Sequence, residues 1–206
     1  MSTTSDTFLN SAQSAFFFLV ADHGFELTET IAPPEIRSNL TFYKLTYCRN
    51  QAQRKPPSVS LTTCPTRLEL DLDLSMGSSP THIDTIGICE LLAVESPYSR
   101  LEIPWGIYSA FGNARRMTDQ HVALADILQR LGGRFFANDE SLWQDVRELR
   151  RQQSLKIHNE ELSKNAECAF KEKNWGRAVE LLESLGDNRT VLQESRFQYA
   201  MKRIAK

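Results

Sequence analysis

The chain of 206 residues, 41% hydrophobic and 24% charged, is long enough to bury one sizeable core with a smaller appendage. Its 24 basic and 26 acidic residues leave a net charge of -2, so no strongly basic surface points to nucleic acid or an anionic membrane. The opening MSTTSDTFLN lacks the Lys or Arg of a secretory leader, and no uncharged stretch approaches the roughly 20 apolar residues of a membrane-spanning helix, so a cytoplasmic location is expected.

In chain order, Phe8, Ala12, Ala15, Phe16 and Leu19 recur at helical spacing and predict one opening helix over 7 to 22. Phe17, Phe18 and Val20 widen its apolar surface, which predicts burial on two sides, and Gly24 can end it with a positive φ. Strands are expected over 25 to 31, 40 to 48 and 58 to 64, where Thr, Tyr, Phe, Val and Leu are frequent, with Pro33-Pro34 and the polar stretch 49 to 57 between them. In TRLELDLDL, Leu68, Leu70, Leu72 and Leu74 alternate with Glu69, Asp71 and Asp73. That period of two places leucines on one face of an antiparallel sheet and three carboxylates on the other. A short helix over 83 to 94 is weakened by Gly87, and 95 to 117 is an irregular segment anchored by Trp105, Tyr108 and Phe111.

From Thr118, Val122, Leu124, Ile127, Leu128 and Leu131 predict a helix that Gly132-Gly133 stops. Another starts near Asn138 or Asp139 with Leu142, Trp143, Val146 and Leu149 inward, and it either runs on to about Lys173 or breaks near 152 to 154. The tail then reads as a helical hairpin and a final helix from Thr190 to about Ile204, packing Leu192, Phe197, Ala200 and Ile204. The expected class is α+β, an antiparallel sheet of about three to five strands packed on helices. The expected domains are residues 1–152 and a helical tail, 153–206.

The near-neutral total hides an asymmetry. Residues 1–150 hold 13 basic and 18 acidic side chains, a net of -5, whereas 151–206 hold 11 and 8, a net of +3. Within 66 to 95, Arg67 stands against Glu69, Asp71, Asp73, Asp84, Glu90 and Glu95. Sharing a face, these would steer a basic partner; the simpler reading is the solvated side of a sheet, whose charges discourage edge-to-edge pairing.

Catalytic and metal-binding constellations do not assemble. There is no G-x-S-x-G, phosphate-binding glycine loop, H-E-x-x-H or dinucleotide fingerprint, and Cys48, Cys64, Cys89 and Cys168 form no C-x-x-C pair. Cys48 and Cys64 could meet on neighbouring strands, although buried thiols suit a reducing compartment better. His82 lies near Asp84 and Cys89, and Asp71 and Asp73 share a strand face, yet neither set has a further ligand or base in sequence. The basic residues of 147 to 177 are interleaved with Glu148, Glu160, Glu161, Glu167 and Glu172, the pattern of a solvated helix rather than of a nucleic-acid site. The expectation is a non-enzymatic protein with no cofactor, no metal, no nucleic-acid partner and no membrane.

Two resemblances add to this. AECAFKEKNWGRAVELLE, with small Ala166 and Ala178 and Trp175 between two helices, resembles a single tetratricopeptide-type hairpin over 163–186. Residues 8–150, through FLVADHGFEL, LTFYKLTYC, SVSLTTC, RLELDLDL, VALADILQRLGG and SLWQDVRELRRQ, resemble bacterial domains of unknown function compared with toxin-immunity proteins. That second resemblance implies a stoichiometric binder which occludes a basic toxin domain with an acidic surface. The partner-binding candidates are Glu69, Asp71 and Asp73 on the strand, and Trp175, Leu182 and Phe197 in the tail. The alternative is a scaffold or adaptor that docks through the tail to another chain or to a second copy.

Overall fold

The structure is a computed structural model that describes residues 4–31, 43–49, 57–64, 69–75, 85–96 and 114–205. The start of the second expected strand, the aromatic segment with Trp105, Tyr108 and Phe111, and His82 and Asp84 lie outside the described residues. So do the side chains of Cys64 and Glu69.

Two compact units divide the chain, Met1–Val146 and Arg147–Lys206, so the division falls a few residues before the expected boundary at 152/153. In the first, α1 (Thr4–Ala15) and α2 (Phe17–His23) replace the single expected helix. The break is at Phe16, and it turns the helical face so that Phe16, Phe18 and Leu19 go inward while Phe17 and Val20 stay 63% and 42% exposed. Burial on two sides is therefore corrected to burial on one. Gly24 ends α2 in the left-handed region, at φ 65°, where a Cβ would be strained.

The fold is α+β, and its sheet is an antiparallel meander in the order β1-β2-β3-β4-β5. Its strands are β1 (Phe25–Ile31), β2 (Tyr43–Arg49), β3 (Ser58–Cys64), β4 (Glu69–Ser75) and β5 (Thr85–Gly87). Register follows the alternation: Leu45 faces Leu61 and Leu61 faces Leu72, all on the covered side. A bulge at Thr28 shifts β1 against β2. Cys48 pairs with Ser58 and Cys64 with Glu69, so the two cysteines sit at opposite ends of the β2–β3 ladder, and Cys48 is a thiol.

The expected helix over 83 to 94 is corrected to β5 followed by α3 (Ile88–Glu95). Gly87 is extended, and its N–H donates to the Glu90 carboxylate at 3.0 Å, which converts the strand into a helix start within one residue. The next helix, α4 (Ala114–Leu131), begins before Thr118 because Arg115, Arg116 and buried Met117 extend its helical face backwards. Gly132-Gly133 interrupts rather than ends the helical path: α5 (Gly133–Phe136) adds one turn and brings Phe135 into the core. Asp139 then opens α6 (Glu140–Lys171), its carboxylate accepting from the Ser141 N–H at 2.8 Å. Of the two expected courses, α6 takes the continuous one.

The core of this unit joins Phe8 and Ala12 of α1, Leu45, Leu61, Leu72 and Leu74 of the sheet, and Leu124 and Leu128 of α4. Fully burying one such side chain is worth about 1.5–3 kcal/mol. Two polar contacts organise it. Arg49, at the end of β2, donates to the His23 carbonyl at 3.1 Å and the Phe136 carbonyl at 2.8 Å, so one guanidinium satisfies the C-terminal ends of α2 and α5. His121, fully buried in α4, bonds through Nδ1 to Ser11 Oγ at 2.8 Å, and Ser11 donates its own proton to the Thr7 carbonyl at 2.6 Å. The network assigns the proton to Nδ1 and leaves Nε2 a bare acceptor with no partner among the described residues.

The second unit consists of the rest of α6, α7 (Trp175–Ser184), a tight 3-10 turn at Gly186–Asn188, and α8 (Val191–Ile204). Lys173 closes α6 at φ 60°, Asn174 accepts from the Arg177 N–H to start α7, and Thr190 accepts from the Gln193 N–H to start α8. Ala166, Ala169, Ala178, Leu181, Leu182 and Leu185 form its core, small residues on α6 admitting the large ones of α7. Phe197 and Ala200 of α8 turn inward as expected, but Leu192 and Ile204 are 59% and 51% exposed. The reasons differ: Leu192 lies well round the helix from Phe197 and Ala200, whereas Ile204 shares their face but is the last residue of α8, a turn beyond Ala200.

Candidate functional site

The acidic strand comes first. Asp71 is exposed and Asp73 half-exposed on the outer face of β4, opposite Thr62 and Ser60 of β3. The polar row continues across the sheet, with Ser60 Oγ 3.4 Å from Thr46 Oγ1, Thr46 donating to Glu29 at 2.9 Å, and Lys44 pairing with Glu29 at 2.8 Å. The Cys89 thiol, exposed at the start of α3, is pushed up by partial burial first and then by the charges of Asp71 and Glu90. The other acids of the segment have local duties: Glu90 holds the Gly87 N–H, and Glu95 pairs with Arg134 at 3.0 Å. Arg134 also meets Asp139 and Asp145, so Glu95 belongs to an ion-pair network joining α3, α5 and the start of α6.

In the tail, Leu182 is buried in the core and Phe197 packs against that core with Arg189 stacked 4.5 Å above its ring. Both are occupied by their own unit. Trp175 is half-exposed and belongs to a different group. At the end of α6, Phe170 stands edge-on to Trp175 with ring centres 5.2 Å apart, and Tyr199 of α8 approaches both, 5.8 Å from Phe170 and 5.6 Å from Trp175. Such tilted and edge-on pairs are worth about 0.5–1.5 kcal/mol beyond their buried area.

Two arginines extend this trio. Arg196 lies 5.6 Å above the Phe170 ring and Arg203 lies 5.0 Å above Tyr199, donating to its hydroxyl through Nε at 3.0 Å and Nη2 at 2.6 Å. The i, i+7 spacing puts both on one flank of α8. Sequence reasoning reached Trp175 but not Tyr199, Arg196 or Arg203; the signal was the Arg-x-x-Tyr-x-x-x-Arg spacing. Beyond them, Val191, Leu192, Met201 and Ile204 are large exposed apolar side chains on the same helix.

Other surfaces offer less chemistry. A groove of about 580 Å3 along α6, between Gln152, Leu155, Asn159 and Asn188, holds no histidine or cysteine. Among the described residues no cluster of His, Cys, Asp or Glu could hold a metal ion, and no helix is long and apolar enough to cross a membrane. Compared with family models, curated proteins and solved structures, the chain matches none of them.

Proposed function

We propose that this chain is a protein-binding protein that acts as an adaptor through its second unit, with α8 and the turn from α6 into α7 as the contact. The observation that carries this reading is the apolar exposure of α8: within 14 residues, Val191, Leu192, Tyr199, Met201 and Ile204 are all large and at least 42% exposed. A helix that covers its own core with one face and shows apolar side chains on others is typical of a surface completed by another molecule. Trp, Tyr and Arg, grouped beside it, are the residue types in which binding energy concentrates.

Site-specific photocrosslinking in the native host tests this. A photoreactive residue in place of Leu192 or Met201 is expected to capture a discrete protein. The same residue in place of Val122, an equally exposed position on α4, is the control. Equal capture at Val122, or none on α8, refutes the reading.

The second reading is an immunity-like occlusion of a basic partner by β4, favoured by the exposed Asp71 beside Asp73. Reversing Glu69, Asp71 and Asp73 together to lysine would abolish such binding, and unchanged binding of a basic partner would refute it.

A further inference from the structure

We infer that the aromatic and arginine flank of α8 receives an acidic segment of its partner, one that carries two carboxylates about 10 Å apart with an apolar side chain beside them. This rests on the adaptor reading above and adds the partner's chemistry.

Several cations of the second unit find their counter-charges within it. Arg151 pairs with Glu148 at 2.7 Å, Lys171 with Glu167 at 2.9 Å, Arg177 with Glu180 at 3.0 Å and Arg189 with Glu194 at 2.8 Å. Among the described residues Arg196 and Arg203, like Lys156, Lys164 and Lys202, have no carboxylate within ion-pair distance, and they differ from those lysines in being held against aromatic rings. Glu167 feels the charge of Arg196, but Lys171 holds its carboxylate. Both guanidiniums are instead laid against aromatic rings. Stacking fixes the plane of a guanidinium while leaving N–H groups at its rim for a carboxylate, and so lowers the ordering cost of a charge-assisted hydrogen bond.

Spacing narrows the ligand. Seven residues of helix separate Arg196 from Arg203 by about 10 Å. Carboxylates match that distance on one side when they are about seven residues apart on a helix or about three apart on a polyproline II segment. Leu192 and Tyr199, 59% and 42% exposed on the same flank, give such a segment an apolar surface to cover. The interleaved carboxylates Glu167 and Glu172 oppose the continuous run of phosphates in a nucleic acid, which favours a peptide whose acids are spaced.

The test selects a random peptide library on the full-length chain and measures the recovered peptides against Arg196→Gln, Arg203→Gln and Leu192→Ser. Leu192 and Arg203 are exposed and Arg196 is half-buried, and circular dichroism checks that each variant keeps its helices. The expected result is enrichment of peptides with two acidic residues and an apolar one, with binding weakened about tenfold by either arginine change and by added salt. Peptides that depend on Leu192 but carry no acidic signature would overturn the acidic inference while leaving the adaptor reading in place. Peptides indifferent to all three changes, or none at all, would overturn both. A single-stranded oligothymidine tested in parallel, if it bound with the same dependence on Arg196 and Arg203, would overturn the peptide assignment in favour of nucleic acid.

Discussion

His121 makes the stability of the first unit depend on pH in a way that can be worked out in advance. Its ring is fully buried between α1 and α4, edge-on to Phe8 with ring centres 5.2 Å apart, and burial pushes its pKa down to about 4 from 6.5. The unfolded chain takes up a proton as pH falls through 6.5, whereas the folded chain refuses one until about pH 4. Between those values the unfolded state binds more protons, so stability is complete above 6.5, drains as pH falls and levels off below about 4. The gap corresponds to about 3 kcal/mol, a large share of the 5–15 kcal/mol typical of a domain. His121→Leu removes the titration while Ser11 keeps its bond to the Thr7 carbonyl. Urea melts of both proteins from about pH 7.5 to about pH 4.5 should show the parent losing about 2.5 kcal/mol more than the variant across that range. His23, also pushed down, by burial first and then by Arg49, titrates in both proteins and cancels in the difference. A difference that changes by less than about 1 kcal/mol over this range would mean that His121 is not held neutral in the core.

Three further outcomes are expected. A Cβ at Gly132 would lie 2.5 Å from the Leu128 carbonyl oxygen, whereas Gly133 has open space, so Gly132→Ala should cost about 1–3 kcal/mol and Gly133→Ala should be neutral or slightly stabilising; equal melting temperatures would contradict the packing at the α4–α5 junction. Arg49→Met should cost about 2–3 kcal/mol and speed amide exchange at the C-terminal ends of α2 and α5 together, and exchange that rises at only one end would show that the two caps do not share Arg49. Lys173 sits at φ 60° with a Cβ, so Lys173→Gly should stabilise the second unit by about 1 kcal/mol, and a lower denaturation midpoint would refute that account.

The fold class was legible because its signals are local. The Leu70, Leu72 and Leu74 alternation needs only a period of two, and Gly24, Gly186 and Thr190 mark helix boundaries through their own backbone or side-chain chemistry. What the sequence hid depends on partners far along the chain. Arg49 meets carbonyls 26 and 87 residues away, and Ser11 meets His121 across 110 residues, so no window of sequence contains either arrangement. Gly87 misled for a different reason: an apolar run interrupted by one glycine fits a weakened helix and a strand-to-helix joint equally well. For the candidate site, helical spacing correctly grouped Trp175 with the tail but could not say which face of α8 its own core would consume. That choice left Leu182 inside with Phe197 packed against it, Tyr199 and Arg203 exposed, and Arg196 half-buried over the Phe170 ring.

The packing of α1 on α4 has a consequence for the order in which the protein is made. The meander joins each strand to the one just synthesised, so sheet pairing can follow the chain as it emerges. Phe8 and Ala12, in contrast, share a core with Leu124 and Leu128, residues that leave the ribosome more than a hundred positions later. Until then the nascent chain carries an apolar helix without its cover, the kind of surface that chaperones recognise. The second unit has no such delay, because α7 and α8 follow directly on the segment of α6 that they pack against.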